Sequence, residues 1–113
     1  MSRNRWHMVE EEGGALTLAR RLPARFDLAV ETVLPGTAGR RRVAHRVRQD
    51  IWRALRGLRG FAPAVRVVRG AGWLCVRAGG EVQGRFDRVQ AEARIAEVLE
   101  DKANRARWTG CAR

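Results

Sequence analysis

The fold of this chain is decided by residues 37–60, which read TAGRRRVAHRVRQDIWRALRGLRG. Apolar side chains recur there every three or four residues, as on the buried side of an amphipathic α-helix. They are Val43, Val47, Ile51, Leu55 and Leu58, with Ala44 and Ala54 beside them. Thr37 is the expected N-cap and Leu58 the expected end of this helix. A glycine at position 57 or 60 closes it, and the proline at position 63 prevents its continuation.

Strand patterns precede this helix. Residues 6–12 and 15–19 flank a pair of glycines, which predicts a β-hairpin with a glycine turn. Residues 26–34 alternate between two faces, one of them apolar, and predict a third strand that ends at Pro35. The chain before the helix is therefore expected to be all β.

A second hairpin and a second helix follow. Residues 65–69 and 73–78 flank a glycine-rich turn, and the second strand ends near residue 80 or continues to Val82. Asp87 is the expected N-cap of the last helix, with Gln90 completing an approximate capping box. The expected buried stripe of that helix is Val89, Ala93, Ala96, Leu99, Ala103 and Ala106, with Ile95 beside it.

The predicted element order is β-β-β-α-β-β-α, in a single domain that spans residues 1–113. We expect an α+β fold, with an antiparallel sheet of about five strands and two helices packed on one face. No apolar run approaches the length of a membrane span, and no secretory signal precedes Glu10. The expected location is the cytoplasm.

Positive charge is concentrated in one segment. The chain has 23 Lys+Arg against 12 Asp+Glu, a formal net charge of +11. Residues 36–80 hold eleven arginines and one carboxylate, Asp50. Arginine used almost to the exclusion of lysine is typical of a GC-rich genome, and we expect a bacterial source, but this preference does not explain the excess of cations. Such a focused positive field favours polyanions, nucleic acid first.

We therefore predict a small basic protein that binds nucleic acid through its arginine-rich helix and the adjacent hairpin. RNA is preferred slightly over duplex DNA, because no helix-turn-helix, ribbon dimer or basic zipper pattern is present. An aromatic ring beside arginines on an exposed sheet face is how several RNA-binding modules stack bases. The candidate contact residues are Arg40, Arg41, Arg42, Arg46, Arg48, Arg53, Arg56 and Arg59 on the helix, and Arg66, Trp73 and Arg77 on the hairpin.

Other interpretations of the same residues stay open. The basic side of the helix is either simply solvated or partly neutralised by the acidic last helix. Alternatively, a non-enzymatic interaction module, such as an assembly factor, adaptor or phage-type accessory protein, would meet an acidic protein partner there. Its interface anchors would be Trp6, Trp52, Trp73 or Trp108. For Trp73 we favour another interpretation over base stacking, in which the side chain is packed at the edge of the sheet or buried in a homodimer contact.

Catalytic and metal chemistry find little support. Cys75 and Cys111 lack a CxxC partner and His7 and His45 are isolated, so no metal site is predicted. No Walker loop, dinucleotide fingerprint or nucleophile elbow is present, so we predict neither a cofactor nor an enzyme. The GxxG pattern at residues 57–60 leads toward a strand instead of a second helix, and it is interpreted as a helix stop.

Overall fold

A computed structural model gives the fold of residues 6–110. One antiparallel sheet is formed by five strands: β1 (His7–Glu11), β2 (Ala15–Ala19), β3 (Leu28–Pro35), β4 (Ala62–Gly70) and β5 (Trp73–Glu81). Three helices accompany it: α1 (Arg40–Ala54), α2 (Arg88–Glu100) and α3 (Lys102–Trp108). The predicted α+β class, the antiparallel sheet and the element order are confirmed, except that the last helix is divided in two.

The strands are arranged in the order β1-β2-β4-β5-β3, so the central strands come from different parts of the sequence. Antiparallel register sets Leu18 opposite Val65, and Val65 opposite Ala78, which forms an apolar row across the sheet. Helix α1 packs mainly on β4 and α2 mainly on β3. Both long helices therefore cover the same face, and the opposite face is called the helix-free face.

The apolar stripe of α1 forms the middle of the core. Val43, Val47 and Ile51 are completely buried against the sheet, as their spacing predicts. Fully burying side chains of this size contributes about 1.5–3 kcal/mol each to the stability of the fold. Among residues 6–110, no helix is both long enough and apolar enough to cross a membrane.

Both predicted ends of α1 are wrong. The helix begins at Arg40 with Gly39 as its N-cap, and no side chain caps it. Thr37 lies outside because the chain is held extended before the helix, where Arg69 donates a hydrogen bond to the Ala38 carbonyl. At the other end Leu55 leaves helical geometry, although it stays buried in the turn that leads to β4.

The predicted stripe of the last helix is confirmed only in part: Ile95 and Leu99 are buried, whereas the predicted Val89, Ala93, Ala103 and Ala106 are exposed. Val89 is 79% exposed, and the buried positions of α2 are Ala91, Ile95 and Leu99, which recur every four residues. Asp101 breaks the helix because its backbone is extended and its carboxylate accepts the Asn104 N–H, which starts α3. The break redirects the chain, so the predicted alanines of α3 face solvent. Trp108 is buried instead.

The N-cap of α2 agrees with its prediction. The Asp87 carboxylate accepts the backbone N–H of Gln90 at 3.1 Å. Asp27 directly precedes β3 and accepts the Val82 N–H at 2.9 Å. That backbone hydrogen bond, followed by weaker effects of Arg25, lowers the pKa of Asp27 below its ordinary value despite an opposing desolvation effect. Both carboxylates thus accept hydrogen bonds from the backbone and have a structural role.

Gly79 marks a close approach between β5 and β3. A Cβ atom at this position would lie 2.0 Å from the Leu28 carbonyl oxygen. We expect Gly79→Ala to lower the free energy of unfolding by about 2 kcal/mol, because a paired strand backbone cannot move aside freely. Gly57→Ala is the matched control, since nothing lies within 4 Å of its Cβ position. Urea denaturation measures both, and equal stability of the two variants would refute the close approach.

Candidate nucleic-acid interface

The side of α1 that faces away from the sheet carries two parallel rows of side chains, most of which are arginines. With 15 residues and a rise of about 1.5 Å per residue, the helix presents them over roughly 22 Å. We call this surface the basic face, and it continues into the turn after the helix. Its members are Arg41, His45, Arg48 and Trp52 in one row, Arg42, Arg46, Gln49 and Arg53 in the other, and Arg56 and Arg59 in the turn.

Carboxylates from β1 reach only the first turn of the helix. Arg40 forms an ion pair of 3.1 Å with Glu10 and also donates to the Gly14 carbonyl. Arg41 lies 3.9 Å from the same carboxylate, and its side chain is mostly exposed. Arg40 therefore anchors the helix to the first hairpin, whereas Arg41 remains accessible.

Asp50, the single carboxylate of α1, is engaged in the interior. It is 9% exposed and accepts the Trp108 indole N–H at 2.8 Å. Arg53 lies 3.1 Å from one carboxylate oxygen of Asp50, and Arg107 lies 3.1 Å from the other. Asp50 thus fastens α3 to α1, and it leaves most of the positive charge of the helix uncompensated.

The remaining arginines of the basic face have no acidic partner. Within the described part of the chain, no carboxylate lies within 4 Å of the guanidinium groups of Arg42, Arg46, Arg56 and Arg59. The acidic side chains of α2 point elsewhere: Glu92 accepts the Ala29 N–H and Glu100 accepts the Thr32 hydroxyl, both on β3. Neutralisation of the basic face by direct contact with the last helix is therefore wrong.

One end of the basic face borders an aromatic pocket. Trp52 stacks on Phe61 with ring centroids 6.3 Å apart and an interplanar angle of 12°. The Arg48 guanidinium lies 4.4 Å from the centroid of Trp6, and Arg20 lies 5.3 Å from that same ring. These residues, together with Pro63, line a pocket of about 190 Å³. We call it the tryptophan pocket.

The hairpin candidates lie on the helix-free face, as the alternation predicts, but they are already engaged. Arg66 pairs with Glu11 at 3.1 Å, and Arg77 pairs with Glu31 at 2.9 Å. Trp73 packs over Gly70, where a Cβ atom would lie only 2.1 Å from its ring. Its packing agrees with the edge-residue interpretation more closely than with an exposed base-stacking platform.

The helix-free face is not fully open either. The loop of residues 20–27 lies over its β1–β2 side, where Leu22 and Phe26 line a pocket with Thr17 and Arg66. The Arg77 guanidinium is 5.6 Å from the Phe26 ring centroid. This coverage was not visible in the sequence, because nothing local to the loop indicates which face it packs against. The sheet is therefore a poorer candidate surface than α1.

Sequence analysis named Trp6 only as an interface anchor for a protein partner, and it missed Arg20 and Phe61 as members of the tryptophan pocket. These three residues come from separate segments that only the tertiary fold brings together. The available signal was the spacing of Arg48 and Trp52, which are four residues apart and therefore neighbours on one helix face.

The remaining predictions concern the buried tryptophan, the two cysteines and metal ligands. Trp108 is completely buried, so it cannot serve as an interface anchor. Cys75 is a free, half-buried thiol on the helix-free face, whereas Cys111 and the N-terminal residues 1–5 lie outside the described part. Across residues 6–110, no cluster of three His, Cys, Asp or Glu side chains could hold a metal ion.

Comparison with known proteins does not identify a family or a function for this chain. No family model, no curated protein and no solved structure matches the chain. The basic face and the tryptophan pocket are therefore the features that indicate a function.

The basic face has a measurable electrostatic signature at His45. Burial, followed by the nearby cations of Arg48 and Arg41, lowers the pKa of His45 below its ordinary value of 6.5. The unfolded chain thus takes up this proton more readily, so His45 makes the free energy of unfolding fall as pH drops through about 6.5.

We expect a polyanion bound to the basic face to raise the pKa of His45, because negative charge stabilises the imidazolium form. A pH titration of the His45 ring proton by NMR, with and without saturating oligonucleotide, measures the shift. His7 on β1 serves as the internal reference. An unchanged His45 titration at saturation would place the phosphates elsewhere on the protein.

Proposed function

We propose that this protein binds nucleic acid through the basic face and that it acts as a binding protein without catalysis, in the cytoplasm. The observation that carries the proposal is a set of arginines that have no acidic partner among residues 6–110, on one side of α1 and in its following turn: Arg42, Arg46, Arg56 and Arg59. Guanidinium groups bind phosphate strongly, often with two parallel hydrogen bonds. Arg42 and Arg46 lie one turn apart on α1, and Arg56 and Arg59 follow in the next turn of the chain, so the set can meet several phosphates of one backbone.

The first turn of α1 strengthens the argument. Residues 40–42 are all arginine, and the first turn contains no acidic residue. Cations at a helix N-terminus oppose the helix dipole and cost about 0.3–1 kcal/mol each. A phosphate bound near this end would offset that cost, because the dipole and the arginines both attract an anion. The arrangement is unfavourable for an isolated helix and favourable for one that meets a polyanion.

The chemistry of these contacts defines the mode of binding. Arginines on the outside of a packed helix reach phosphates. Phosphate contacts position a protein on the nucleic acid without recognising the base sequence. The described residues form no helix-turn-helix that would place α1 in a major groove, so RNA remains the favoured target. We expect low sequence specificity and a steep dependence on salt.

Fluorescence anisotropy with labelled single-stranded RNA, duplex RNA and duplex DNA tests the proposal. Protein freed of endogenous nucleic acid should lose at least about 100-fold in affinity between about 50 and about 200 mM salt. Polyglutamate serves as the acidic competitor. Failure to bind any nucleic acid at low salt, with tight binding of polyglutamate, would replace this proposal with an acidic protein partner.

A further inference from the structure

The tryptophan pocket has properties that the row of arginines alone does not require. Its walls are aromatic on three sides, from Trp6, Trp52 and Phe61, and cationic at Arg20 and Arg48. A volume of about 190 Å³ is smaller than the roughly 300 Å³ at which pockets for drug-sized ligands begin. The space therefore suits one flat ring better than a complete cofactor.

The charge of the pocket excludes one common ligand class. Aromatic walls elsewhere form cages for quaternary ammonium groups and methylated lysine. Here the Arg48 guanidinium already occupies the face of Trp6 at 4.4 Å, and Arg20 lies near the same ring. A second cation would be repelled, so the ligand must be neutral or negative.

An unpaired donor in the wall adds a further requirement. The Nε atom of Arg48 is buried and has no hydrogen-bond partner within the described residues. Buried donors are satisfied in nearly all folded proteins, and one left unpaired costs about 1–3 kcal/mol. A ligand that presents an acceptor at its edge would pair with this atom once the Arg48 side chain turns toward the pocket. A purely apolar ring would leave it unpaired in either position.

We propose that the tryptophan pocket binds one unpaired base of a single-stranded nucleic acid whose phosphates lie on the basic face. A base has a flat π-face that can stack on the exposed ring of Trp52, carries acceptors at its edge for Arg48, and is joined to the anions that arginines attract. Bases in a duplex stay stacked and cannot enter. The inference rests on the proposed function and narrows its target to single strands.

Two tryptophans of equal exposure provide the test. Trp52 is 41% exposed in the pocket, and Trp73 is 40% exposed on the helix-free face, outside the lining of the pocket. We expect Trp52→Ala to weaken binding of a single strand of about 12 nucleotides about 10-fold, as loss of one stacked base does. Duplex affinity should change by less than about two-fold, and Trp73→Ala should change neither.

A modified strand keeps the test independent of folding. Replacing every base by an abasic residue should weaken binding to the wild type and to Trp73→Ala. The effect on Trp52→Ala should be smaller, because that variant has already lost the stacking contact that the abasic strand removes. Trp52→Phe should restore most of the affinity, since it keeps a ring for stacking. If Trp52→Ala does not fold, Trp6→Ala replaces it, with the same expected loss.

Each result has a distinct meaning. Equal losses for single strand and duplex, or no loss for either, would overturn the base pocket while leaving the basic face as a phosphate-binding surface. A wild-type protein that binds neither form at low salt would overturn the proposed function itself. A loss confined to single strands that contain bases would establish the pocket.

Discussion

Replacing Arg42 and Arg46 together by glutamate is expected to weaken nucleic-acid binding about 100-fold at low salt. Each substitution removes a charge-assisted phosphate contact worth about 1.5 kcal/mol, or roughly ten-fold in affinity. Neither arginine has a carboxylate partner within residues 6–110, so the folded protein loses no ion pair. The slope of affinity against salt concentration should also become shallower by about two. Anisotropy titrations at several salt concentrations measure both quantities.

Two controls separate position from net charge. Arg85→Glu together with Arg88→Glu makes the same change in net charge at exposed residues outside the basic face, and its affinity should fall far less. Lysine at positions 42 and 46 keeps the charge and should retain most of the binding. Equal losses for the two glutamate pairs would show that overall charge alone, and not the basic face, drives the interaction.

Asp50→Ala is expected to lower the free energy of unfolding by about 3 kcal/mol, the largest effect on stability that the structure indicates. The substitution leaves the buried Trp108 indole N–H without its acceptor at 2.8 Å and removes the ion pairs that tie α3 to α1. Arg53 and Arg107 are about half exposed or more, so water compensates them in part. Calorimetry should show a fall in Tm of about 10 °C.

The role of Asp50 is distinguishable from a role in binding. Asp50→Asn keeps an acceptor for Trp108 and should lose about half as much stability. Glu97→Ala on exposed α2 is the control, with a change within about 0.5 kcal/mol. Below its melting temperature, Asp50→Ala should bind nucleic acid at least as tightly as the wild type, because it gains net positive charge. An Asp50→Ala protein as stable as the wild type would contradict the role of Asp50 in holding α3 against α1.

Local patterns were sufficient to predict most elements. The apolar spacing of Val43, Val47 and Ile51 identified α1 and its buried side, because helical geometry alone aligns residues at those intervals. Glycine turns between alternating segments identified both hairpins, and Asp87 identified the start of α2. These features depend on interactions within a few residues, which the sequence determines by itself. The arginine content of the basic face was visible for the same reason.

The tertiary structure decided which of those arginines remain available and what surrounds them. Arg66 meets a carboxylate two strands away and Arg77 meets one on the adjacent strand, whereas Arg42 and Arg46 meet none among residues 6–110, and no local pattern distinguishes the two pairs. The burial of Trp108 depends on a partner 58 positions away. The tryptophan pocket likewise joins three distant segments. The sequence therefore determined which segments form helices and strands, and where the charge lies. Contacts between distant residues decided the site, because strand order and helix packing bring those residues together only in the folded chain.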